Sequence, residues 1–203
     1  MPRTMRLAAV LTALSLLVAL GGCLFNGEDD HETPPTEPPA WVEPTTGDML
    51  MTYFRDYYAG CDLEHLGLIL HDGFRFIAQD GTEYDRDQAL TIHGLICDGA
   101  AGDGGIAFES IWVEFLNPLG IWADVPDTDP SFGSVAGALH RPYNVFISFK
   151  VDGQALIFQA IGEAVFYAVP VDGVYELLGV VDATNGNKAT EAHSWSSIWA
   201  LFD

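Results

Sequence analysis

The stretch Gln154-Ala155-Leu156-Ile157-Phe158-Gln159-Ala160-Ile161-Gly162-Glu163-Ala164-Val165-Phe166-Tyr167-Ala168-Val169 decides how the rest of the chain is read. Its aromatic and β-branched content predicts one long strand. It lies between two tight-turn dipeptides, Asp152-Gly153 and Asp172-Gly173. Each dipeptide predicts a hairpin, so Tyr143 to Val151, Gln154 to Val169 and Val174 to Asp182 read as an antiparallel meander. Strand parity puts Phe158, Ala160, Gly162, Ala164, Phe166 and Ala168 on one face. Those small side chains leave room for helices, and for a cavity. Gly162 suits a bulge or bend. The opposite face carries Ile157, Gln159, Ile161, Glu163, Val165 and Tyr167, which is too apolar to be fully wet. A second copy of the chain could cover it, or the loop from Trp122 to Arg141 could do so in part.

Upstream the period changes. Asp48 reads as the cap of a helix through Leu50, Tyr53, Phe54, Tyr57 and Tyr58. Asp62 begins a second helix through Leu63, Leu66 and Ile69, which His71-Asp72-Gly73 ends. Phe74, Phe76 and Ala78 alternate with Arg75, Ile77 and Gln79 and predict a short strand. Asp85 or Asp87 caps a third helix containing Ala89, Leu90, Ile92, His93, Leu95 and Ile96. A glycine-rich loop runs from Asp98 to Gly105, and Phe108 to Leu116 begins the strands. The last apolar segment, Ser194 to Phe202, reads as a final strand. Three helices with one strand, followed by a meander, predict an α+β domain with helices on one face of a curved, mainly antiparallel sheet.

This order of elements resembles the NTF2-like (cystatin-like) superfamily, which includes the ketosteroid-isomerase and SnoaL-like groups. The likeness rests on Tyr57-Tyr58-Ala59-Gly60-Cys61-Asp62-Leu63, Leu70-His71-Asp72-Gly73-Phe74-Arg75-Phe76, Asp85-Arg86-Asp87-Gln88-Ala89-Leu90 and Gly162-Glu163-Ala164-Val165-Phe166. It spans most of residues 48–203. It is similar to envelope lipoproteins with this domain, whose tails resemble Ala192 to Phe202. The resemblance implies a cone: a curved sheet around helices, often with an apolar pocket and often dimeric through the sheet. Here Phe54, Tyr58, Phe76, His93, Trp112 and Phe166 are the candidate pocket residues. The isomerases of this group use an aspartate base and a tyrosine, and those positions fall on Ala78 and Phe54. Neither can move a proton or stabilise an oxyanion. Tyr53, Tyr57 or Asp80 would substitute only if the register slips.

The N-terminal residues carry a separate message. Arg3 and Arg6 precede an uncharged run from Leu7 to Leu20, shorter than the roughly 20 residues of a spanning helix but right for a signal-peptide core. Leu20-Gly21-Gly22-Cys23 follows and resembles a lipobox. The resemblance implies a signal peptide over residues 1–22, cleavage before Cys23 and acylation of the Cys23 thiol. Two or more acyl chains anchor a protein stably. Leu24, rather than aspartate, follows the cysteine, which implies the outer membrane. Residues 23–47 then read as a disordered tether. Prolines 34, 35, 38, 39 and 44 and six acids leave little to bury and keep the segment extended.

All 29 acids lie after Cys23, against six bases, so the mature chain carries −23. That charge argues against nucleic acid and against anionic headgroups. Two cysteines remain after Cys23. Cys61 and Cys97 are a candidate disulfide in an oxidising compartment, the alternative being two buried thiols. No C-x-x-C exists, and no His/Cys spacing is that of a zinc site. His93 on an apolar helix reads as a core histidine. Asp124, Asp127 and Asp129 match no calcium loop. No G-x-S-x-G, phosphate loop or dinucleotide fingerprint occurs.

The expectation is therefore a lipid-anchored envelope lipoprotein, without catalytic residues, metal or cofactor. Its domain at residues 48–203 would bind a small apolar ligand in the cone or a protein partner, including a second copy, on the sheet. The alternative is an isomerase, dehydratase or hydrolase on the same fold.

Overall fold

The computed structural model describes residues 41–102, 105–153, 157–183 and 194–202. Cys23, the signal segment and the tether up to residue 40 lie outside the described residues, as do residues 154–156 and 184–193. No helix among the described residues is long and apolar enough to cross a membrane.

Three helices open the domain: α1 (Gly47–Ala59), α2 (Leu63–Ile69) and α3 (Arg86–Cys97). Each begins on a side-chain acceptor for the N–H groups a helix leaves unpaired. For α1 the cap is Thr46, which accepts the Met49 N–H at 3.2 Å. Asp48, expected there, sits inside the first turn, where its charge suits the helix dipole. It accepts instead from Arg141 at 2.5 Å and Trp122 at 3.3 Å, tying a distant loop to α1. Asp62 caps α2, accepting the His65 N–H at 3.1 Å. Asp85 and Gln88 form a reciprocal capping box on α3, with bonds of 2.9 and 3.0 Å.

The strands are β1 (Leu70–Ile77), β2 (Glu83–Asp85), β3 (Phe108–Pro118), β4 (Ala123–Asp124), β5 (Leu139–Val151), β6 (Ile157–Val171) and β7 (Val174–Asp182). The sheet order is β2-β1-β7-β6-β5-β3, with β4 against β5. Among the described residues, only β1 and β7 pair in parallel. The β6–β7 turn has Asp172 at φ 53° and Gly173 at φ 91°, the two positive values a type I′ hairpin needs.

The small-residue face of β6 packs on the helices: Ala160, Ala164, Phe166 and Ala168 are buried in the main core. Beyond the bulge between Tyr167 and Ala168, the opposite face is also buried. There Phe132 and Ala138 cover Tyr167, Val169 and Leu178. Gly179 lies under the Phe132 ring, where a Cβ would have no room. Thus the loop after β4 shields the β6–β7 part of the outer face. The part formed by β3, β5 and the first half of β6 stays open, with Trp112 72% and Ile161 42% exposed.

Two expectations are corrected here. Ser194 to Phe202 is not a strand: Trp195–Trp199 forms a short helix, α4, capped by Ser194, which accepts the Ser197 N–H at 3.1 Å. Trp195, Ile198 and Trp199 share one helical face, and that face buries. The domain also begins before residue 48. The Trp41 ring lies 6.4 Å from Tyr53 and 5.9 Å from His65, and Pro44 accepts the Tyr175 N–H at 2.7 Å. Trp41 supplies apolar surface that the rest of the acidic, proline-rich segment lacks.

Candidate functional site

The cone interior lies between α1, α3, β1 and α4. Phe54 and Tyr58 come from α1, Phe74 and Phe76 from β1, His93 from α3, and Trp195 and Trp199 from α4. These side chains leave a cavity of about 20 Å³. That is room for about one water, against several hundred Å³ in a typical small-molecule site.

Aromatic packing fills the space. Trp199 stacks on Phe76 at 4.3 Å, and Trp195 meets Phe76 edge-on at 5.2 Å. Tyr58 is the polar anchor. Its hydroxyl accepts the indole N–H of Trp195 at 3.1 Å and that of Trp199 at 3.2 Å. Outside the cone mouth, the Asp182 carboxylate accepts the Ser196 hydroxyl at 2.6 Å and the Ser196 N–H at 3.0 Å. That pair latches α4 to the end of β7.

Of the expected pocket residues, Phe54, Tyr58, Phe76 and His93 surround this cavity. Phe166 is buried one layer behind, edge-on to Phe54 at 5.7 Å. Trp112 is elsewhere: strand parity sends it to the outer face, opposite Ser148 on β5. There it lines an open groove of about 800 Å³ at the β3 edge, with Arg55, Asp56, Glu114, Phe146 and Gln159. Sequence reading placed no residue of α4 in the cone, because the segment was read as a strand. The spacing of Trp195, Ile198 and Trp199 behind Ser194 was the signal that could have shown it.

Among the described residues the cone holds two ionisable groups, stacked at 3.8 Å. Burial pushes the His93 pKa down to about 4, with the Tyr58 backbone carbonyl opposing in part. Burial pushes Tyr58 up to about 12, against the two indole N–H groups. Both are neutral at pH 7. His93 Nδ1 is buried on the side of the Tyr58 carbonyl, and Nε2 lies 3.5 Å from Cys97 Sγ. Cys97 is joined to Cys61 by a disulfide with Cα atoms 5.6 Å apart. Ala78 and Phe54, the residues expected at the isomerases' base and tyrosine positions, are both buried. Asp80 is fully exposed, with its pKa lowered by the Thr82 N–H it accepts at 2.9 Å. It faces an open groove beside α4, outside the cone. Tyr53 and Tyr57 turn toward Trp41 and His65.

No protein-family model matches the sequence, and no curated protein matches it. Solved structures do. A putative scytalone dehydratase from Novosphingobium aromaticivorans DSM 12444 aligns with TM-score 0.50 and 12% identity, over 73% of this chain and 89% of that one. The hexachlorocyclohexane dehydrochlorinase LinA-type3 from Novosphingobium barchaimii LL02 aligns with TM-score 0.50 and 10% identity, over 72% and 88%. An NTF2-like superfamily protein from Salmonella enterica serovar Typhimurium LT2 aligns with TM-score 0.49 and 10% identity, over 71% and 92%. At these identities the likeness speaks of fold alone. With its helices packed on a curved, unclosed sheet, the described part of the chain shares the α+β fold of the dehydratase and dehydrochlorinase structures.

Proposed function

We propose that this protein is a lipid-anchored envelope lipoprotein whose NTF2-like domain is a non-catalytic module that docks a protein partner on its open sheet face. The observation that carries this reading is the occupied cone. Trp195 and Trp199 fill the space a substrate would need and use the Tyr58 hydroxyl for their own N–H groups. The open β3–β5 face offers what the cone does not. Phe146 and Ile161 pair across β5 and β6 with Glu114 beyond them on β3, Trp112 stands diagonally from Phe146 in the row of Ser148 and Gln159, and Arg55 lines the same groove. Buried aromatic anchors with a charged rim are the usual make-up of a protein interface.

The anchor rests on Leu20-Gly21-Gly22-Cys23 and the acidic, proline-rich residues behind it. The reading places the domain at the outer membrane, held off the bilayer by its tether.

Two of the similar folds are named for a dehydratase and a dehydrochlorinase. An elimination in this chain would need a base inside the cone with room for substrate beside it. Among the described residues His93 is the candidate, and it has the room only if α4 leaves. A small apolar ligand in the cone has the same requirement.

A photo-crosslinking residue at position 112, expressed in cells, tests the docking surface. A discrete adduct is expected at 112 and none at buried position 132. An adduct of twice the protomer mass identifies the partner as a second copy. No adduct at 112 overturns the reading. Independently, Cys23→Ser should move the protein from the membrane to the soluble fraction, and retention in the membrane would contradict the anchor.

A further inference from the structure

We propose that Cys61, Cys97 and His93 form a redox-gated site for a thiophilic divalent cation, closed while the two sulfurs are bonded to each other and able to bind once they are thiols. This goes beyond the docking reading, which makes no use of these residues.

Three local features bring the set together. His93 and Cys97 are i and i+4 on α3, so their side chains share one helical face. Cys61 reaches them from the end of α1, where a left-handed residue (φ 55°) turns the chain toward α2. The ligand atoms of all three lie within 4.8 Å of one another. His93 Nε2 is 3.5 Å from Cys97 Sγ. Zinc bonds of about 2.0 Å to nitrogen and 2.3 Å to sulfur at a tetrahedral angle put those two atoms about 3.5 Å apart. The helix alone therefore already sets one edge of the coordination polyhedron.

A plain structural disulfide does not account for the histidine. His93 is buried, with the Tyr58 backbone carbonyl acting on its ring and Nε2 turned to the sulfurs. A carbonyl on one ring nitrogen is the usual support for a histidine that ligates through the other. Leucine or phenylalanine would fill the same space without a polar ring to desolvate. A ligand role explains both the imidazole and its orientation, because the Tyr58 ring at 3.8 Å holds it with Nε2 toward the sulfurs. Cys61 and Cys97 are half-buried, whereas His93 is fully buried. The strongly acidic chain raises the local concentration of cations.

The chemistry balances in two steps. A dithiol reductant delivers two electrons and two protons to the Cys61–Cys97 bond and leaves as its own cyclic disulfide. The two thiols then lose one proton each on binding M²⁺, giving a neutral bis-thiolate with the His93 nitrogen as third ligand. Metal binding is thereby coupled to pH and to redox state.

The test uses the full chain, reduced with dithiothreitol, freed of it under argon and titrated with Co(II). One Co(II) per chain is expected, with thiolate-to-cobalt charge-transfer absorption that Zn(II) abolishes. Oxidised protein should give no such band. His93→Ala should weaken binding at least about 10-fold, the loss that an outer-shell partner alone can cause. His93→Leu, which keeps the stacking volume, should behave the same way. X-ray absorption at the zinc edge of the unmutated complex should find two sulfur ligands and one imidazole. The proposal is overturned if the reduced protein binds no Co(II), loses its circular-dichroism spectrum, or shows no imidazole at zinc. Unchanged affinity in both His93 variants overturns it as well.

Discussion

The Tyr58 hydroxyl accepts the indole N–H of Trp199 at 3.2 Å across 141 positions of sequence, tying the C-terminal helix into the centre of the cone. Trp195 donates to the same oxygen. Tyr58→Phe removes one acceptor and strands two buried donors. At about 1–3 kcal/mol for each stranded group, the variant should lose about 2–6 kcal/mol in urea unfolding. Trp199→Ala should lose about 3–5 kcal/mol and leave a cavity. Added indole should then raise the stability of Trp199→Ala but not that of the unmutated domain. Equal response of the two proteins would mean the cone is open already.

The latch at the mouth is separable from the core. Asp182→Ala deletes the acceptor of both Ser196 bonds but leaves the sheet pairing of β7 intact. Limited proteolysis should cut the variant first near α4, while the fragment from Trp41 to Asp182 persists. Cleavage spread evenly over the domain would show that Asp182 supports the sheet rather than the helix.

Much of this arrangement was legible in the sequence, for identifiable physical reasons. Asp172-Gly173 had to turn because aspartate and glycine tolerate positive φ, and Asp85 was one of the two caps the sequence offered for α3. The small-residue face of β6 gave the side on which the helices lie. What escaped was set by tertiary context. The strands β2 and β4 are too short to show a period. Thr46 outcompetes Asp48 as a cap because Asp48 is drawn to Arg141. Ser194 to Phe202 is apolar enough for a strand, yet it buries one helical face instead. Trp112 looked like a pocket residue by type, but alternation along β3 turns it outward. The Cys61–His93–Cys97 cluster joins two helices, so no linear spacing shows it.

Acid should weaken the fold through His93. Its folded pKa is lowered to about 4 from an ordinary 6.5. Below pH 6.5 the unfolded chain takes up a proton that the folded chain refuses, so stability is full above that value and falls toward pH 4. The loss attributable to His93 should be about 2 kcal/mol between pH 7.5 and pH 5. Urea titrations of the native protein and of His93→Leu measure it as the difference in slope against pH. Parallel slopes would show that the imidazole is solvated.

The Cys61–Cys97 bond closes a loop with a sequence separation of 36. Loop-closure entropy for that length is worth about 4 kcal/mol. Cys61→Ser and Cys97→Ser should each lower the urea midpoint, and by similar amounts, since either one removes the same link. A large difference between them would point to a role for one sulfur beyond the bond.

Whether the cone is closed in the cell is decided by native mass spectrometry of the full-length protein, extracted from its own membranes in mild detergent. The expected mass is that of the acylated chain from Cys23 alone or with a docked protein, with no small molecule retained. A stoichiometric apolar compound that stays bound, and that Trp199→Ala binds more tightly, would contradict a closed, non-catalytic cone.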